Sequence, residues 1–201
     1  MGHVDRFACL VVAVMSELIA GTGKLVLVVG PSGSGKDTLI SWCRSRLADN
    51  RAIVFPRRII TRPAGDVSED HEAVSEEAFA RRVAAGAFAI HWRAHGLGYG
   101  VSVEIEPALA AGQTIVVNVS RSVIDDVRSR FQTVLVVSIT ARREIIAQRL
   151  RQRGREDDSA IDRRLARGAA VDVGGPNLVE IDNSGPVEQA GAIFLRLISG
   201  V

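Results

Sequence analysis

Lysine is almost missing from this chain of 201 residues, occurring only at Lys24 and Lys36. Nearly all its positive charge is arginine, whose planar fork suits phosphate, although a GC-rich genome gives the same bias. Aromatic residues make up only 4% of the chain, which leaves any base-stacking surface sparse. A formal net charge of +2 argues against nucleic-acid binding through bulk electrostatics. The two cysteines, Cys9 and Cys43, lack metal-ligand spacing, so free thiols in a reducing compartment are the plain reading. The apolar run FACLVVAV (Phe7 to Val14) is too short to span a bilayer, and no repeat or low-complexity segment occurs.

What is present points to one compact α/β domain. Hydrophobic residues make up 47% of the chain, and short β-branched runs alternate with helical patterns. KLVLVVG (24–30), AIVFPRRII (52–60, bent or ended by Pro56), TIVVNVS (114–120), TVLVVSI (133–139) and NLVEIDN (177–183) read as strands. FAIHWRAHGLGYGVS (88–102) reads as a strand, a Gly-rich turn and a second strand. Helices are expected at 37–48, 75–86, 103–112, 121–131, 141–154, 157–170 and 186–198, with Ser75 at a capping position facing Ala78. This alternation predicts a parallel sheet flanked by helices. Arg62 to His71 lacks periodicity and is expected to be an ordered loop near a ligand.

The most specific motif is GPSGSGKDT, Gly30 to Thr38. It follows a strand and opens a helix, and Gly30, Gly35 and Lys36 fit G-x-x-x-x-G-K-[S/T]. In such a loop the amides around Gly30, Pro31, Ser32, Gly33, Ser34 and Gly35 turn toward phosphate oxygens, and the helix N-terminus adds positive charge. Lys36 then bridges the terminal phosphates of ATP. The position that normally carries a metal-binding hydroxyl is Asp37, and the neighbouring strand ends without a carboxylate. Asp37 is therefore read as restoring anionic charge beside Mg²⁺, directly or through water. The alternative is that it merely favours the helix N-terminus. Thr38 supplies a hydroxyl one residue further on, pointing elsewhere. ATP chemistry implies a cytoplasmic location. Because this unit needs nothing before Gly23, residues 1–22 are expected to form a loosely packed or disordered extension, with Met15 an alternative start.

GPSGSGK, TRP (61–63), HWRAHGLGYG (91–100) and RLRQRGRE (149–156) occur in the order found in the guanylate-kinase-like family, which the chain resembles from about Lys24 onward. GKD, EDHEAVS (69–75) and NVSR (118–121) resemble in particular the branch that phosphorylates ribose 1,5-bisphosphate. The resemblance implies a P-loop NTPase fold over 23–201, with a small acceptor-binding insertion at about 56–102 and an Arg-rich lid at about 149–165. It also implies that Arg62 and Tyr99 hold the acceptor phosphate, and that Arg149, Arg153 and Arg164 close over the transferring group. The adenine pocket would lie near Asp182 and Asn183.

The chain departs from guanylate kinases at three places. Gly65 stands where they have a second phosphate-binding arginine, and EDHEAVS offers His71 but no tyrosine. Asn118, Val119 and Ser120 stand where an acidic pair contacts guanine. An amide and a hydroxyl suit sugar hydroxyls and phosphates better than a guanine N–H edge. Asn118, Ser120, Arg121 and His95 are thus candidate substrate contacts.

The implied activity is ATP- and Mg²⁺-dependent conversion of ribose 1,5-bisphosphate to 5-phosphoribosyl 1-diphosphate, in phosphonate metabolism. A nucleoside monophosphate kinase such as guanylate kinase is the alternative, and a non-catalytic binding module the third reading. The expected partner is a small sugar phosphate rather than nucleic acid or membrane, with a homodimer left open.

Overall fold

The computed structural model describes residues 23–62, 70–152, 162, 165 and 173–200. A five-stranded, all-parallel sheet forms its centre. It comprises β1 (Lys24–Val29), β2 (Ile53–Val54), β7 (Thr114–Asn118), β8 (Val134–Thr140) and β9 (Leu178–Asp182), in the order β2-β7-β1-β8-β9. A second, four-stranded sheet comprises β3 (Arg58–Ile60), β4 (His71–Ala73), β5 (Phe88–Ala94) and β6 (Leu97–Ser102), in the order β4-β3-β6-β5.

Strand β1 shows why its sequence is a continuous apolar run: Leu25 to Val29 are all fully buried. Alternate side chains enter different cores. Leu25, Leu27 and Val29 join one cluster, and Val26 and Val28 join the other. Helices α1 (Lys36–Arg46) and α6 (Val187–Ser199) cover the second cluster with Leu39, Cys43, Ala190 and Phe194. These helices approach closely because Gly191 lies against the Trp42 ring, where a Cβ would come within 2.6 Å of a ring carbon. Burial pushes the Cys43 thiol up to about 12, so it remains a protonated, inert core group. Cys9 lies outside the described residues.

The first cluster is covered by α3 (Ile105–Ala110), a 3₁₀ turn (Arg121–Val123) and α4 (Ile124–Arg130). One face of the second sheet completes it, through Ile60, Ile90, Trp92, Tyr99 and Val101. That sheet's other face, carrying Ile59 and Phe88, meets Phe79 of α2 (Glu76–Ala84). Ser75 caps α2 as expected, its hydroxyl accepting from the Ala78 amide at 3.2 Å.

Two expectations change. The run 52–60 is two strands in two different sheets, separated at Pro56, which cannot donate to a ladder. His71 lies not in a loop but in β4, pairing in parallel with Arg58. Three residues are too few to show a period, so only the partner strand reveals them. Residues 63–69 of the expected loop, residues 1–22 and most of the expected lid lie outside the described residues.

The β5–β6 hairpin turns at His95 and Gly96, both with positive φ, 53° and 75°, as a two-residue type I′ connection requires. Within β6, glycine at 98 and 100 lets the Phe79 and Phe88 rings lie on the strand backbone, with their centroids 4.9 Å apart. Gly100→Ala should therefore drive a methyl group into the Phe88 ring. We expect about 1–3 kcal/mol of destabilisation, read by urea unfolding, and an unchanged midpoint would remove this account of the glycine.

Candidate active site

The carboxyl ends of the parallel strands converge where α/β sheets bind ligands. Strand β1 leads into Gly30, whose φ is 143° and whose absent Cβ would strike the Ile139 carbonyl of β8. The loop ends at Gly35, which takes the N-cap position of α1 in a left-handed conformation with no side-chain cap. The first amides of the helix are thus not taken up by a capping side chain and are directed at the loop's hollow. Lys36 curls over the loop, its ammonium donating to the carbonyls of Gly30 at 2.8 Å and Pro31 at 3.0 Å. The only other lysine, Lys24, donates to the Leu197 carbonyl near the end of α6, a helix-end contact.

The loop is braced at the Ser34 carbonyl. Asn183, immediately after β9, is 3% exposed, and its amide donates to the Ser34 carbonyl at 2.8 Å. Arg149, on α5 (Arg143–Gln152), donates to the same carbonyl at 3.2 Å and to the Asn183 carbonyl at 2.8 Å. The Asn183 Nδ2 is thus engaged at the phosphate loop, whereas its buried Oδ1 has no hydrogen-bond partner among the described residues. Its neighbour Asp182 accepts from the Ser184 amide at 2.9 Å, closing a local turn.

A cavity of about 330 Å³ opens above the loop. Gly30, Pro31, Ser32 and Lys36 line one side of it. The second sheet, its β5–β6 turn and the segment after β3 contribute Arg58, Arg62, Trp92, Ala94, His95 and Tyr99. The end of β7 and the segment after it add Asn118, Val119, Ser120 and Arg121. The structure thus brings Lys36, Arg62, His95, Tyr99, Asn118, Ser120 and Arg121, which are separate in sequence, to one space. Arg153 and Arg164 lie outside the described residues. Asp37 and Thr38 are exposed on α1.

Several of these groups are held by one another. Asn118 donates its amide to Asp37 Oδ1 at 2.7 Å, tying the end of β7 to the start of α1. Ser120 is partly occupied as a cap, its hydroxyl accepting from the Ser122 amide at 3.3 Å. Tyr99 and Trp92 stack with centroids 5.2 Å apart and planes 5° apart. Desolvation holds the Arg121 guanidinium below its ordinary pKa, a direction that attraction to an anion opposes. Arg58 went unnoticed in the sequence, where RRII offers two adjacent arginines and no way to tell which one turns inward. No carboxylate lines the cavity among the described residues.

A phosphate loop facing a cationic wall from a second sheet defines a kinase fold, and a family model described as guanylate kinase matches residues 22–171. The chain belongs to the guanylate kinase family. It is 45% identical to the ribose 1,5-bisphosphate phosphokinase PhnN of Brucella melitensis, over 87% of this chain and 91% of that protein. It is 49% identical to the protein of the same name from Rhodopseudomonas palustris, over 80% and 82% of the two chains. The crystal structure of guanylate kinase from Anaplasma phagocytophilum shares the fold, with a TM-score of 0.64 at 18% identity, covering 90% of this chain and 86% of that one. Among the described residues no helix is long and apolar enough to cross a membrane.

Asn183→Ala should loosen the loop. A lost hydrogen bond of about 1 kcal/mol should raise the KM for ATP roughly fivefold without altering the preference for ATP over GTP. A changed nucleotide preference in steady-state assays would place Asn183 in the adenine pocket.

Proposed function

We propose that the protein is an ATP-dependent kinase converting ribose 1,5-bisphosphate to 5-phosphoribosyl 1-diphosphate. The observation that carries this reading is the cavity itself. Lys36, Arg58, Arg62 and Arg121 line it, and no carboxylate does so among the described residues. A guanine N–H edge needs an acceptor of the carboxylate kind, whereas a sugar bisphosphate needs cations and neutral hydrogen-bonding groups. The similarity to proteins named for this activity supports the same choice.

In this reading the loop amides and Lys36 hold the phosphates of ATP. Arg62 holds the reacting phosphate of the acceptor, with Tyr99 beside it. Asn118, Ser120, Arg121 and His95 border the sugar. An oxygen of the 1-phosphate bonds to the γ-phosphorus as the bond from that phosphorus to the β-bridging oxygen breaks, and ADP departs. No general base is required, because the attacking oxygen is already ionised near neutral pH. The protein's contribution is positioning and charge stabilisation. We assign the latter to Lys36 and Arg149 together with Arg153 and Arg164, as a lid at about 149–165 that excludes water. The acceptor-binding part corresponds to about 56–102.

Kinases of this family use ATP and usually Mg²⁺. The donor set fits the ion: a single carboxylate, Asp37, is held at the loop by Asn118, and no group of three or more His, Cys, Asp or Glu converges among the described residues. One carboxylate with substrate phosphates and water is a usual environment for Mg²⁺. Asp37 would hold the ion, which would supply neutralisation of the phosphate charge. A buried free thiol and dependence on ATP support a cytoplasmic location.

The decisive assay follows ADP release with ATP and Mg²⁺, offering ribose 1,5-bisphosphate and GMP side by side. Turnover of the bisphosphate is expected, and turnover of GMP alone would overturn the proposal. Asp37→Asn should lower kcat/KM at least about tenfold and weaken Mn²⁺ binding to the ADP complex, read by electron paramagnetic resonance. Unchanged Mn²⁺ affinity would remove Asp37 from the metal site.

A further inference from the structure

Arg57 and Arg58 are adjacent in sequence but have opposite surroundings. Arg57 turns outward, pairing with Asp70 at 2.9 Å and donating to the His71 carbonyl at 2.9 Å. Because β3 begins at Arg58 and side chains alternate along a strand, Arg58 turns the other way and lines the cavity. Its guanidinium lies over the Tyr99 ring, 5.5 Å from the centroid, and donates to the Asn118 carbonyl at 3.2 Å. The ring is itself fixed by stacking on Trp92. The guanidinium is therefore oriented by a ring face and a main-chain carbonyl before any ligand arrives, and such preorganisation favours affinity.

Arg62 lines the same cavity from beyond the other end of β3. The two residues flank β3, Arg58 as its first residue and Arg62 two residues past its last. Two guanidinium groups anchored at opposite ends of one strand and lining one cavity match a ligand with two anionic groups. A nucleoside monophosphate has one phosphate and a neutral base. A sugar bisphosphate has two phosphomonoesters, each carrying about −1.5 to −2 at pH 7.

We propose that Arg58 is a specificity-determining residue that grips the second phosphate of the acceptor, the one not assigned to Arg62. The proposal rests on the reading of the acceptor as a sugar bisphosphate and adds the residue that distinguishes it from a monophosphate.

The test is titration calorimetry of the full chain with ribose 1,5-bisphosphate and with ribose 1-phosphate. The unaltered protein should bind the bisphosphate at least about tenfold more tightly. Arg58→Gln should weaken bisphosphate binding by about 30-fold or more, yet change binding of ribose 1-phosphate, which lacks the 5-phosphate, by no more than about threefold. Arg58→Lys, which keeps the charge but loses the planar fork, should fall between. Arg57→Gln should alter neither affinity.

An equal loss for both ligands, or no loss, in Arg58→Gln would overturn the assignment while leaving the proposed function intact. If Arg58→Gln fails to fold, an unchanged preference in Arg58→Lys would overturn it instead. An unaltered protein that binds GMP but neither sugar phosphate would overturn both.

Discussion

The start of helix α1 carries no side-chain cap, and the rest of the site is arranged around that fact. A capping side chain is worth about 1 kcal/mol to a helix. Here the position belongs to Gly35, left-handed and without a side chain. The amide groups are left to point into the loop's hollow. That costs stability unless the surrounding structure holds the loop open, and it does. Leu25 to Val29 of β1 are fully buried, Gly30 is pressed against β8, and Asn183 and Arg149 grip the Ser34 carbonyl. The loop is stiff because the core beneath it is closely packed.

The opposing wall belongs to a different sheet. Tyr99 and Trp92, which support the Arg58 guanidinium, are also members of the cluster that packs against Leu25, Leu27 and Val29. The acceptor wall and the loop strand therefore share one hydrophobic core, which fixes the distance between donor and acceptor sides. Positioning of this kind is the main thing a protein can contribute to phosphoryl transfer. The hydrogen bond from Arg58 to the Asn118 carbonyl adds a polar tie between the two sheets.

Much was legible in the chain. GPSGSGK between an apolar run and a helical pattern carries its own geometry, because glycine conformations and a helix N-terminus are local matters. Ser75 at its cap and the His95–Gly96 turn are local in the same way. The cores on either side of β1 follow from a run apolar at every position. The second sheet was harder to read. Its strands pair across long stretches of chain, His71 to Ala73 is too short to show alternation, and 52–60 looked like one strand because Pro56 bends the chain without announcing that its two halves join different sheets. The contact of Asn183 with the Ser34 carbonyl was not legible, because the two residues lie far apart in the chain.

The sequence by itself determined the phosphate loop, the alternation that builds a parallel sheet, and the family resemblance carried by GPSGSGK, TRP and GLGYG. These depend on backbone conformation and side-chain periodicity within a few residues. Only the tertiary structure decided that Arg58 turns inward while Arg57 faces solvent, that Asn183 braces the loop, and that Asn118 holds Asp37. The direction and partner of each of these side chains are set by strand pairing and packing between segments far apart in the chain, and no local pattern encodes that.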